Sequence, residues 1–533
     1  MFITYEFIAF LILVFFLYYI LPKKVQWIFL LIANFAFYAY ADVRYPVFLV
    51  ITASSVYVTA LVMERYQGRL EEYKTQIRSG QIPKPTREEK KAFKKKISDK
   101  KKRTMLFCLL FNLGILAVVK YTNFAISNIN FFVEKSGGSP FSFQNMIVPM
   151  GISFYTFQAV GYLLDVYWEK CGIQKNYFRF LLFVSFFPQL IQGPISRYSD
   201  LEKTLYTPHR ADWKQISFGL QRILWGYFKK LVLADRVSVA VIALAEDQKY
   251  YTGAFVFVMM MFYSLQLYAD FTGGIDITIG IAQVLGIRVE ENFIRPFFSK
   301  NIAEYWRRWH ITMGTWFRDY VFYPCSISRP VKNMTTFCKK HFGMIVARRV
   351  AVYFSSIVVW FATGVWHGAE WRFIIWGLLN GLILLASGEL EPLYERFHKR
   401  LPKFTETTVY RGFQVIRTFL LMSCLRLFDV YGSVRRTFRQ FIRMFTRFWK
   451  HPVTGQELLD LGLTKPDYVI LLVGVLLLFF VSLLGRREDI RERLWKRPYV
   501  IRFTAFTLLF LAVILLGQYG HGFDAQQFIY NRY

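Results

Sequence analysis

Apolar runs of membrane-crossing length dominate the chain, at 6–21, 27–41, 46–63 and 105–133, then at 253–269 and 347–366, and finally at 467–485 and 499–517. A crossing helix needs about 20 such residues, so the length leaves room for about ten. Two further apolar stretches are broken by helix-unfriendly residues. Val148–Trp168 carries Pro149, Gly151 and Gly161, and Leu181–Tyr198 carries Pro188, Gly193 and Pro194. Interrupted helices at membrane depth line cavities rather than lipid, so these two predict re-entrant segments that bring Gln189, Gln192 and Arg197 to membrane depth or its edge. The pattern predicts an all-α, polytopic integral membrane helical bundle, with broken or re-entrant helices and interfacial amphipathic helices forming a funnel, in a single domain over 1–533.

The charged positions orient it. Residues 64–103 hold fifteen Lys/Arg against six Asp/Glu, and a second basic stretch spans 486–497. By the positive-inside rule both are cytoplasmic loops, which puts the N-terminus and the tail 518–533 on the outer face. The run Glu6–Leu21 lacks a basic leader and a small-residue cleavage site, so it reads as the first span. Asn292–Pro324 is too charged to cross lipid, yet Tyr305, Trp306, Trp309, Trp316 and Tyr320 recur at helical spacing, as interfacial helices require. The segment 391–451, with Arg435, Arg436, Arg439, Arg443 and Arg447 among phenylalanines, reads as a membrane-surface helix. A net charge of +31 would suggest nucleic acid in a soluble chain, but here it sits between apolar runs and points to lipid head groups. Five scattered cysteines form no C-x-x-C pair, against a zinc ribbon or a disulfide framework.

The candidate chemistry centres on Ser355–Gly381. His367 lies there between two apolar runs, with Gly364, Gly368, Gly377 and Gly381 at two G-x-x-x-G spacings and Trp360, Trp366, Trp371 and Trp376 around them. An imidazole without water is either the working residue of an aromatic-walled site or a histidine satisfied in the core. His310 follows the Arg307–Arg308 pair. Asp270 and Asp276, in an apolar run, are either site carboxylates or an interhelical pair. Glu370 makes an H-x-x-E with His367, but no third ligand accompanies it, so no metal is expected. Neither a nucleotide-binding glycine motif nor a Walker lysine occurs.

GISFYTFQAVGYLLDVYW, FFPQLIQGPISRYSD, YWRRWHITMGTWFRDYVFYP and GVWHGAEWRFIIWGLLNG, in that order, resemble the membrane-bound O-acyltransferase family, and within it the alginate O-acetylation branch. The resemblance covers about residues 145–390 and the N-terminal apolar start. It implies His367 as catalytic histidine and His310 as its support. The chemistry needs a base for a hydroxyl proton and donors for an oxyanion, and a neutral imidazole in a low-dielectric site supplies the first. Arg307, Arg308, Trp306, Trp366, Asp270 and Asn380 are the candidate substrate-binding residues, although the arginines could equally anchor lipid phosphates. Asn380 stands where many relatives carry histidine, and YPCSISRP replaces a Gly-rich turn. The expected activity is transfer of an acyl group, acetyl above all, from acetyl-CoA or an acyl-carrier thioester to an exported polysaccharide. The expected setting is a bacterial inner membrane, with an SGNH-hydrolase-type partner outside, membrane lipids around it, no tightly bound cofactor and no nucleic acid. The ending FIYNRY adds Tyr530 as an anchor, a docking point or an acyl carrier, since a phenyl ester transfers onward readily. The rivals are a teichoic acid D-alanyl transferase and, from another class, a transporter or flippase.

Overall fold

The computed structural model describes residues 3–450, 452–486 and 488–519. Among the described residues it is all-helical, broken only by an isolated antiparallel bridge between Phe293 and Trp309. Eight helices are long and apolar enough to cross a membrane, and a shorter apolar helix, Tyr5–Ile20, precedes them. The protein is a multi-pass membrane protein. The chain divides into two compact units, one of residues 12–211 and 285–289, the other of residues 1–11, 212–284 and 290–533.

In the first unit the basic segment 64–103 is a helical hairpin, where the charge pattern suggested a loop. Tyr45–Arg78, 34 residues, is about 51 Å long and outruns a 30 Å hydrocarbon core, so its charged end projects as helix. The chain turns through 79–86 and restarts at Thr86, whose hydroxyl accepts from Glu89 N–H while Glu89 accepts from Thr86 N–H. Tyr73 stacks on Phe93 at 4.1 Å across the hairpin. Gly161 does not interrupt its segment, because it is buried inside the continuous helix Ile152–Tyr167. The break comes earlier, at Gly151, where φ is +72° and a Cβ would lie 2.0 Å from the Leu190 carbonyl oxygen. The other broken stretch behaves as its prolines suggest: Tyr177–Ser185 stops, and Phe187–Gln192 restarts with Pro188 in its first turn. Asn34 satisfies that break, accepting from Phe187 N–H at 3.1 Å and donating to Ser185 Oγ at 3.2 Å.

The second unit is built on Trp213–Glu246 and Ala254–Val284. The latter runs through Gly273 and Gly274 without a break, although an end near 269 was expected. The two helices are antiparallel and touch at Gly219 against Gly280 and Gly226 against Gly273. Small residues seven apart on each helix let the backbones meet. Midway, Phe228–Ala234 is a π-helical turn that carries Lys229 and Lys230 into the interface. Lys229 pairs with Asp276 at 2.5 Å, Arg222 pairs with Asp276 at 2.9 Å, and Lys230 reaches Asp270 at 2.7 Å and Asp235 at 2.8 Å. Val434–Thr446 is amphipathic, with Phe438, Ile442 and Phe445 exposed and Thr437, Gln440 and Met444 buried.

Gly280→Leu should destabilise this unit by about 1–3 kcal/mol or more, because its Cβ would lie 2.8 Å from the Gly219 carbonyl, which cannot yield as a side chain can. Gly412→Ala, where a Cβ meets nothing within 4 Å, is the control. Thermal unfolding in detergent checks both, and equal midpoints would refute the glycine contact.

Candidate active site

Arg329–His367, bent at Gly343, and Trp371–Glu389 form a hairpin whose turn carries His367. Its arms meet without side chains between them: a Cβ on Gly377 would lie 2.3 Å from the Trp360 carbonyl oxygen, and one on Gly364 would lie 2.5 Å from that of Phe373. The G-x-x-x-G reading therefore describes a real close approach. His367 ends the first arm, buried, with its ring 5.0 Å from Trp366 and 4.8 Å from Trp376. Asn380, one turn beyond Trp376, donates to the Trp376 carbonyl at 2.8 Å. Glu370 is held by Arg372 through two contacts of 2.8 and 2.9 Å.

His310 arrives on a kink. The interfacial stretch is two short helices, Ile302–Arg308 and Ile311–Phe317, and His310 between them sits at φ +49°. A left-handed histidine is strained, and the bridge to Asn292–Ile294 enforces it: Ile294 N–H donates to Arg308 O and Ile311 N–H to Asn292 O, each at 3.0 Å. The fully buried Asn292 accepts through Oδ1 from Thr312 N–H and Thr312 Oγ–H, both at 3.0 Å. The same oxygen lies 3.3 Å from His310 Nδ1. An oxygen already identified as an acceptor fixes that nitrogen as the N–H, so Nε2 carries the lone pair.

The two histidines flank one indole, Trp366, at 5.8 Å from His310 and 5.0 Å from His367. The circuit continues from His310 to Phe271 at 5.0 Å, from Phe271 to Trp309 at 6.1 Å, and back through Trp376 to His367. Between Trp309 and Trp376 stands Arg426, its guanidinium carbon 5.1 Å from the first ring, 4.9 Å from the second and 5.7 Å from Trp306. It pairs with the buried Asp429 at 3.4 Å. His310 lies outside the eight candidate spans. Burial first, and the Arg426 charge second, push it down to about 3, so it is neutral at any working pH.

The structure thus gathers His310, His367, Trp366, Trp306 and, through Trp376, Asn380. It does not gather the rest. Asp270 is committed to Lys230, because a carboxylate among apolar side chains must be paired. Arg307 is exposed, and Arg308 is bound to Glu304 at 2.6 Å. Tyr530 lies outside the described residues. Arg426, Asp429 and Asn292 were not foreseen. The signal for the first two was present in LRLFD, an Arg and an Asp three apart in an apolar run, which marks intramembrane charge. Among the described residues no group of three or more His, Cys, Asp or Glu side chains could hold a metal.

Residues 174–431 match the family described as MBOAT, membrane-bound O-acyltransferase family, and this segment belongs to it. Similar proteins include a probable alginate O-acetylase of Azotobacter vinelandii, 34% identical over 54% of this chain and 54% of that protein. A peptidoglycan O-acetyltransferase of Helicobacter pylori is 31% identical over 57% of this chain and 58% of that protein. A teichoic acid D-alanyltransferase of Bacillus subtilis is 31% identical over 50% of this chain and 65% of that protein. The chain thus spans just over half to just under two thirds of the curated relatives it matches.

Two predictions follow from the site's electrostatics. His310 is neutral when folded and ordinary, near 6.5, when unfolded, so between those values the unfolded chain binds the extra proton. Stability contributed here is full above about 6.5 and is lost as pH falls toward 3; His310→Gln should flatten that slope, read from unfolding midpoints between pH 7 and 5. An unchanged slope would contradict the buried neutral imidazole. Arg426→Met removes the ion-pair partner of Asp429, leaving it only Tyr263 and the more distant charge of Arg372, and should cost about 3–5 kcal/mol, with partial recovery in Arg426→Met/Asp429→Leu. A double variant no better than the single one would show that the ion pair is not what was lost.

Proposed function

We propose that this membrane-bound O-acyltransferase moves an acyl group, acetyl in the first instance, from a cytosolic thioester across the membrane for O-acylation of an exported or cell-wall polysaccharide. The observation that carries the reading is the pair His310 and His367, set against one indole in a buried aromatic enclosure. Relatives named for O-acetylation of alginate and peptidoglycan support acetyl as the group and a polymer hydroxyl as acceptor. The donor is acetyl-CoA or an acyl-carrier thioester, used as substrate and not kept as a cofactor.

His367 acts as the base. Its imidazole takes the hydroxyl proton as the oxygen attacks the thioester carbon, and the departing thiolate recovers a proton. His310, neutral and fixed in one tautomer by Asn292, positions the reacting groups. We place the protein in a bacterial inner membrane, with residues 64–103 on the cytoplasmic side and an SGNH-hydrolase-type partner outside. Tyr530 is assigned to the outer face as a docking point or acyl carrier. The relative named for D-alanyl transfer supports a second reading, in which the same site passes alanyl from a carrier protein to teichoic acid.

His367→Ala should remove O-acylation by about 10²–10⁴-fold while the protein stays inserted, and His310→Ala should reduce it less completely. Ester-linked acyl content of the polymer in complemented cells measures both, and mass spectrometry of the released group separates acetyl from alanyl. Wild-type acyl content in the His367→Ala strain would sink the assignment.

A further inference from the structure

The walls of the site hold more hydrogen-bond donors than the protein uses. Among the described residues, Nε1 of Trp306, Nε1 of Trp376 and Nδ2 of Asn292 are buried and have no hydrogen-bond partner. Trp376 is 1% exposed and Asn292 fully buried. A buried N–H left unmade is a cost, and Asn34 and Gln158 avoid it by giving their amides to broken helices. Here three such donors belong to one site, on the helix Ile302–Arg308, on Trp371–Glu389 and on Asn292 beside the bridge of Phe293 to Trp309.

Their chemistry restricts what they serve. An indole N–H donates and cannot accept, so its partner must be an acceptor. The Trp376 ring is 4.8 Å from His367 and 5.8 Å from Trp306, which puts both indoles on the wall beside the base. Arg426 covers both indole faces, at 4.9 and 5.7 Å. A cation over the ring draws electron density from it and strengthens the N–H at its edge. With a cation over each ring, the N–H edge is the polar group that each side chain still offers.

We propose that the indole N–H groups of Trp376 and Trp306 hold the carbonyl oxygen of the incoming acyl group while its carbon is tetrahedral. The inference rests on the acyl-transfer reading and names the donors that reading requires. As the acceptor oxygen bonds to the carbonyl carbon and gives its proton to His367, the C=O π pair moves onto the carbonyl oxygen, where the two N–H groups bind it. Collapse returns the pair, breaks the C–S bond and releases thiolate, which is protonated. Fixed donors in a water-excluding enclosure need no reorganisation as charge appears, and one such donor is worth about 10²–10³ in rate elsewhere.

The test keeps the rings and removes the N–H. Trp376→Phe and Trp306→Phe, and benzothienylalanine at 376, where sulfur replaces N–H in the same bicyclic shape, are introduced into the full chain in proteoliposomes with acetyl-CoA as probe. The maximal rate of thiol release should fall by about 10²-fold in each, with the KM for acetyl-CoA within about twofold of wild type, as for a donor used in the transition state. The benzothienyl variant decides the matter if the phenylalanine variants fold poorly. A wild-type maximal rate in it shows that the indoles are packing only and overturns the proposal. A wild-type chain that transfers no acyl group overturns the functional reading and this inference with it.

Discussion

Charge buried among apolar side chains must be neutralised on the spot, and the second unit is assembled around that demand. Lys229 and Lys230 meet Asp276 and Asp270 on the neighbouring helix, and glycines on both helices bring the backbones close enough for the pairs to form. Neither device suffices alone. Helices packed glycine to glycine can slide, whereas pairs whose disruption costs about 3–5 kcal/mol fix register. That register places Phe271, next to Asp270, against the His310 ring, and delivers the chain to the turn where Asn292 begins. The histidine's surroundings are thus set by ion pairs on the far side of the same helix.

Within the site the enclosure is aromatic because rings do two jobs that aliphatic side chains cannot. They exclude water without leaving voids, and they tolerate a cation. Arg426 stands among Trp306, Trp309 and Trp376 and costs less there than it would among leucines, since each indole face contributes about 0.5–2 kcal/mol of attraction. Its charge then acts on His310 in the same sense as burial, so the two effects add and the neutral imidazole is doubly secured.

Much of this was legible in the sequence, and unevenly so. The spans, the hairpin around His367 and the break at Pro188 follow from hydropathy and from residues with one dominant backbone consequence. Gly161 misled, because glycine is tolerated inside a helix when a neighbouring element needs the space, and the sequence does not name the neighbour; Ala254–Val284 likewise outran the end expected near 269. The charged segment 64–103 was read as a loop because charge reports where water is, not whether the backbone is helical. Asp270 was ambiguous for want of a partner, and Lys230 is distant in sequence and carried inward by a π-turn that no local pattern announces. Arg426 was legible in principle but stood outside the motifs that drew notice.

The two histidines are not equivalent, and the backbone makes them so. His310 opens a helix, Ile311–Phe317, at a left-handed residue locked by two backbone hydrogen bonds. The positive end of that helix opposes a proton there, as does Arg426. His367 closes a long helix, with its ring against Trp366 and Trp376. Asn292 completes the division, because its Oδ1 is claimed as an acceptor by Thr312 and so can only receive the His310 Nδ1 proton. A kink in the chain, fixed by a single bridge between Phe293 and Trp309, thereby decides which nitrogen of His310 carries hydrogen.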